Sequence, residues 1–181
     1  LLEQAEREGR LGDVPHAPEL PVHTAWDLGM DDATAIWFFQ VEPGGVWRVL
    51  DYYEASGEGL AHYAHVLESK ARPAGQTNGE AAGLAAALDA PLRGRGFRYG
   101  LHIAPHDIRV RELGTGKSRL ESAAALGIRF VTAPALPVAD GIDAVRRLLG
   151  RCRFDSTRCA TGLRALRAYR RRWNARQEQA A

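Results

Sequence analysis

The 181 residues are 45% hydrophobic and 25% charged, a make-up that supports one globular domain with a real core and excludes collagen-like and disordered classes. No run approaches the 18 apolar residues of a membrane span, and the start, Leu1-Leu2-Glu3-Gln4-Ala5-Glu6-Arg7, lacks the apolar stretch of a signal peptide. The formal charge of +2 hides an asymmetry: residues 144–181 hold 11 Arg against Asp155 and Glu178, a net +9, while the first 143 residues net −7. A basic end beside an acidic body suits an anionic partner docked near carboxylates. Of the 24 basic residues only Lys70 and Lys117 are lysines, a bias that a GC-rich genome would also produce. Cys152 and Cys159, seven apart in one helical pattern, cannot build a disulfide framework and point to a reducing compartment.

Residues up to about Leu20 read as a helix end followed by a linker, punctuated by Gly9, Gly12, Pro15 and Pro18. Val22–Gly29 and the apolar, aromatic Ala33–Val41 read as strands. Pro43-Gly44-Gly45 is a turn into a third strand, Val46–Glu54, and short connections make the three an antiparallel meander. Gly59–Lys70 is a helix with Leu60, Tyr63, Ala64 and Leu67 on one face. The Gly-, Ala- and Pro-rich stretch Arg72–Gly96 predicts an excursion holding a short helix, Glu80–Leu88. Arg98–Ala104 is a strand. Ser118 caps a helix to Leu126, with Glu121 completing a capping box and Gly127 ending it. Ile128–Ala133 is the fifth strand, Asp140–Leu149 a helix, and a last helix starts at Asp155 or Ser156 and ends in the Arg-rich stretch Arg164–Arg176. This order predicts an α/β, ribonuclease-H-like fold: a mixed five-stranded sheet, with an antiparallel three-strand meander plus two parallel strands, flanked by helices.

Two stretches carry candidate chemistry. In Trp26-Asp27-Leu28-Gly29-Met30-Asp31-Asp32 a carboxylate ends the first, central strand, where burial is costly unless it meets a cation. Asp and Gly are equally at home in a hairpin turn, so this stretch alone leaves both readings open. In Leu101-His102-Ile103-Ala104-Pro105-His106-Asp107 a second acid follows the strand expected beside the first. Two carboxylates converging from 80 positions apart would offer the hard oxygen ligands that Mg²⁺ requires, and two such ions can stabilise the attacking and leaving oxygens of a phosphodiester displacement.

Other candidates read as structural. Gly114-Thr115-Gly116-Lys117-Ser118 is not a phosphate-binding P-loop, because Arg111 stands where that motif needs Gly. It is a Gly-rich loop capping a helix, near enough to a basic surface for Lys117 and Arg119 to meet DNA phosphates. His62 and His65 read as solvent-facing, and the two cysteines lack the partner pair of a zinc site. Asp140 and Asp143 serve the first turn of their helix.

Across these segments the sequence resembles the C-terminal nuclease domain of the large terminase subunit of tailed bacteriophages. The matching stretches are Pro21–Gly29 with Asp32–Trp37, Asp51-Tyr52-Tyr53-Glu54 followed by His62-Tyr63, His102–Ile108, Gly114–Arg119, Asp140–Arg146 and Gly162–Arg170. The resemblance implies a metal-dependent endonuclease that cuts double-stranded, concatemeric viral DNA during genome packaging in the host bacterial cytoplasm. Asp27 and Asp107 would be catalytic, metal-binding acids and Asp32 an auxiliary metal-binding acid, with two Mg²⁺ or Mn²⁺ ions. Implied partners are DNA, the packaging-motor ATPase domain, the portal and the small terminase subunit, with no membrane involved. Residues 1–20 would be the linker from an absent upstream ATPase domain and 21–181 the nuclease domain, truncated at its C-terminus. The family's third acid would lie beyond Ala181, so the isolated chain is expected to be weakly active or inactive. The alternative is a non-catalytic DNA-binding or docking module with an incomplete metal site. Lys117, Arg119 and the run Arg170, Arg171 and Arg172 are the expected DNA contacts.

Overall fold

The computed structural model describes residues 2–29, 33–73, 94–111 and 116–169. In chain order the elements are α1 (Leu2–Arg7), β1 (Leu11–Gly12), β2 (Val22–Asp27), β3 (Thr34–Val41), β4 (Trp47–Ala55), α2 (Leu60–Ala71), β5 (Tyr99–Ala104), a 3-10 turn (His106–Arg109), α3 (Arg119–Ala125), β6 (Phe130–Thr132), α4 (Val138–Leu149), β7 (Cys152–Asp155) and α5 (Ala160–Ala168). The sheet order is β1-β7-β4-β3-β2-β5-β6. β2, β3 and β4 form the expected antiparallel meander. β5 adds parallel to β2, and β6 parallel to β5. The expected helix at Glu80–Leu88 lies outside the described residues.

The five expected strands are all present, and two more extend the sheet beyond β4. β7 pairs parallel with β4, Trp47 against Cys152 and Val49 against Phe154, and β1 pairs parallel with β7. Cys152 and Cys159 therefore do not share a helix: Cys152 opens β7 and Cys159 stands at the N-terminus of α5. A seven-residue spacing fits two helical turns, but it also fits a four-residue strand followed by a tight turn. The last helix accordingly starts at Ala160, later than expected. Both thiols are buried and free, and burial pushes Cys152 up to about 11.

The stretch read as a linker is bound into the domain. Val14 joins the core, β1 pairs with β7, and the buried Gln40 amide donates to the Ala17 and Leu20 carbonyls at 2.7 Å while accepting from the Ala17 N–H at 3.0 Å. No apolar period marks this segment, because it is held through its backbone groups.

Alternation along the strands sends side chains to two faces. Val22, Trp26, Ile36, Phe38 and Leu50 meet Tyr63, Val66 and Leu67 of α2 and Ala123 of α3. On the other face Phe39, Val49, Tyr52 and Phe154 pack with Leu163 of α5. A register shift opposite Phe38 and Phe39, whose partners are Asp51 and Val49, leaves Leu50 as an extra residue in β4. Among the described residues one ion pair has both side chains buried: Lys70 Nζ meets Asp51 Oδ2 at 2.5 Å and sits 5.0 Å from the Phe38 ring centroid. The capping box of α3 forms as expected, with Ser118 Oγ accepting from the Glu121 N–H and Glu121 Oε2 accepting from the Ser118 N–H. Gly127 follows at φ +83°, where a side chain would be strained.

Candidate active site

The parallel pairing of β2 with β5 builds the candidate site. Ala25 stands opposite Ile103, so continuing the register sets Asp27 beside Pro105, two residues before Asp107. Pro105 cannot continue the ladder as a donor, and the chain turns there into His106–Arg109. Ile108 is fully buried and anchors that turn, while Asp107 on it stays exposed. Asp27 is likewise exposed at the end of its strand. Neither carboxylate has a hydrogen-bond or ion-pair partner among the described residues. The sequence-predicted pair is thus brought to one end of the sheet, with both acids available to a ligand.

The supports of Asp27 are polar as well as apolar. The Trp26 indole N–H donates to Thr24 Oγ1 at 2.7 Å, and Thr24 Oγ1 meets His102 Nδ1 across the strands at 2.7 Å. Burial holds His102 below the ordinary imidazole range, with His23 adding to the effect. A neutral ring is what this crowded junction accommodates. Trp26 itself packs edge-on against Phe130 and Tyr63.

Arg119, predicted from its loop, comes to the same end: its guanidinium donates to the Leu28 carbonyl at 3.4 Å. Together with Leu28, Gly29, Thr34, Gly59, Leu60 and Tyr63 it lines a cavity of about 280 Å³. Lys117 is exposed beside Ser118, which bridges to Arg111. Asp32 and the run Arg170, Arg171 and Arg172 lie outside the described residues. His62 and His65 do not form a pair of their own. His62 Nε2 meets the Tyr53 hydroxyl at 2.6 Å, and His65 faces Glu68. Asp143 pairs with Arg146 on α4.

Two exposed carboxylates suit a hard cation, which takes oxygen ligands and retains several waters. Among the described residues no three His, Cys, Asp or Glu side chains are grouped to hold an ion by themselves. Sequence reasoning passed over Glu54, which shares a row of the sheet with Asp27 through Ala35. Its signal was the Tyr52–Glu54 spacing, which sets both side chains on one face of a strand.

No family model matches the chain, and no curated protein matches it. Solved structures do. The large terminase nuclease domain of P22 aligns with a TM-score of 0.58 at 18% identity, over 91% of this chain and 76% of its own. The large terminase of the thermophilic bacteriophage D6E aligns with a TM-score of 0.50 at 13% identity, over 82% of this chain and 32% of its own. The chain thus spans about a third of the D6E protein, and its fold is that of the large terminase nuclease domains. No helix among the described residues is long and apolar enough to cross a membrane.

Proposed function

We propose that this chain is the nuclease module of a phage DNA-packaging terminase, a divalent-metal-dependent endonuclease acting on double-stranded concatemeric DNA. The observation that carries the reading is the β2–β5 pairing, which delivers Asp27 and Asp107, both exposed and unpartnered among the described residues, to one sheet end. The likeness of fold to the P22 nuclease domain supports it. Asp27 and Asp107 would hold the ion, with Asp32 as an auxiliary acid. Mg²⁺ or Mn²⁺, as a pair of ions, supplies Lewis acidity toward a phosphodiester and makes bound water more acidic.

The protein's own groups do the rest. Arg119, at the Asp27 end, and exposed Lys117 meet the phosphate backbone, joined by Arg170, Arg171 and Arg172. The module works beside a packaging-motor ATPase domain, with portal and small terminase subunit as partners, in the host cytoplasm. A second reading, a DNA-docking module without cleavage, is favoured by one observation: among the described residues no three His, Cys, Asp or Glu side chains are grouped to hold an ion.

The test is cleavage of supercoiled plasmid with Mn²⁺, comparing the chain and a version extended past Ala181 with their Asp27→Asn and Asp107→Asn variants. The extended version is expected to cut and the variants to be inert. Cleavage that survives both substitutions would refute the assignment. DNA binding with no cleavage, even in the extended version, would establish the docking reading.

A further inference from the structure

One row of residues crosses β2, β3 and β4 at the Asp27 end of the sheet. Asp27 pairs with Ala35, and Ala35 pairs with Glu54. Directly paired residues share a face, so Asp27 and Glu54 stand on the same face with only a methyl side chain between them. Two interstrand spacings put their Cα atoms about 10 Å apart. Among the described residues, Asp27, Asp107 and Glu54 do not group closely enough to hold one ion between the three of them.

Glu54 is exposed, yet it is not left to wander. The Tyr52 hydroxyl donates to Glu54 Oε2 at 2.5 Å. Tyr52 is buried, its ring centroid 4.6 Å from that of Trp37. Gly162 of α5 lies so close above that a Cβ there would fall 2.6 Å from the Tyr52 ring. The phenol is therefore fixed between Trp37 and α5 and clamps one carboxylate oxygen. Burial, then the hydrogen bond and charge of Glu54, then the charge of Asp27 raise the Tyr52 pKa, which keeps the hydroxyl a donor and marks Asp27 as a neighbour of this pair.

We propose that Glu54 is an outer carboxylate of the cation site headed by Asp27 and Asp107, bonding to water ligands of the ion, and that Tyr52 is its positioning residue. This rests on the reading of Asp27 and Asp107 as the cation-holding acids. Small divalent cations shed water reluctantly, so a site with two direct acids presents a shell of bound waters that needs acceptors. Glu54 stands two strands from Asp27 on the same face, with one carboxylate oxygen already held by Tyr52. Outer partners of this kind are worth about 10- to 100-fold in metal affinity.

The experiment is titration of the chain with Mn²⁺ alone, following the loss of the free-ion electron paramagnetic resonance signal, with metal-free melting of every variant alongside. Glu54→Gln is expected to melt like the parent and to bind Mn²⁺ about tenfold more weakly. Glu54→Asp should recover part of that loss, and Tyr52→Phe, which keeps the buried ring, should show a smaller one. Asp27→Asn and Asp107→Asn should abolish binding. If they do and Glu54→Gln and Tyr52→Phe bind like the parent, the role of Glu54 is overturned while the site reading stands. Parental binding in both Asn variants, or no Mn²⁺ binding by the parent, overturns the site reading and this inference with it. Should Glu54→Gln melt early, Tyr52→Phe carries the same comparison.

Discussion

Replacing two helical glycines by alanine separates helix propensity from packing. Gly141 lies near the start of α4 and Gly162 near the start of α5. At Gly141 an added Cβ meets nothing within 4 Å, whereas at Gly162 it falls 2.5 Å from Trp37 Cη2, 2.6 Å from Tyr52 Cδ2 and 2.7 Å from Trp37 Cζ2. Alanine in place of glycine stabilises a helix by up to about 1 kcal/mol, so Gly141→Ala should gain roughly that. Gly162→Ala gains the same term and loses about 2–3 kcal/mol to overpacking, because the obstacles are two aromatic rings packed against each other at a tilt. The net loss is about 1–2 kcal/mol. In a chain of this size each kcal/mol moves the melting midpoint by about 2–4 °C. Gly141→Ala is expected to melt higher and Gly162→Ala lower, by thermal and urea unfolding followed by circular dichroism. A Gly162→Ala chain as stable as its parent would refute the claim that α5 sits hard against Trp37 and Tyr52.

Further outcomes follow from the buried polar groups and the basic end. Lys70→Met alone strands the Asp51 carboxylate in the core and should cost about 3–5 kcal/mol, while Lys70→Met with Asp51→Leu should cost far less; a urea double-mutant cycle showing simple additivity would contradict a buried pair. Burial lowers His102, and likewise His16 and His23, below the unfolded value of 6.5. Below that value the unfolded chain binds more protons, so the stability these neutral rings allow is complete above pH 6.5 and declines as pH falls through the lowered values. His102→Gln should flatten that acid limb, by up to about 1.4 kcal/mol per pH unit, and an unchanged slope would reject a buried neutral ring. Replacing Arg170, Arg171 and Arg172 by Ala should weaken duplex binding and flatten the log K against log salt slope by up to about 3; an unchanged slope would assign the run to structure and leave Lys117 and Arg119 as the DNA contacts.

The meander, the fifth strand, the α3 capping box and the strand ends before Asp27 and Asp107 were legible in the sequence because each rests on local chemistry. Turn-bounded strand patterning marks β2 and a continuous apolar, aromatic run marks β3, Ser118 and Glu121 satisfy each other three residues apart, and Pro105 ends a strand wherever it stands. β1 and β7 were not legible. Two and four residues are too few for a period to show, and their ladder is supplied by β4, roughly a hundred residues from β7. The Asp51–Lys70 pair was hidden for a related reason: Lys70 near a helix C-terminus reads as an ordinary exposed cation, and only the packing of α2 on Phe38 turns it inward.

The sequence by itself therefore determined the strands whose ends lead into Asp27 and Asp107, since a strand end and a proline are local facts. Only the tertiary structure decided that Glu54 shares the face of Asp27. Register is set by which strands pair, and one residue of slip in β3 or β4 would have turned Glu54 to the opposite side of the sheet. The depth at which Tyr52 holds it was decided in the same way, by Gly162, a residue whose role is visible only from the helix lying across it.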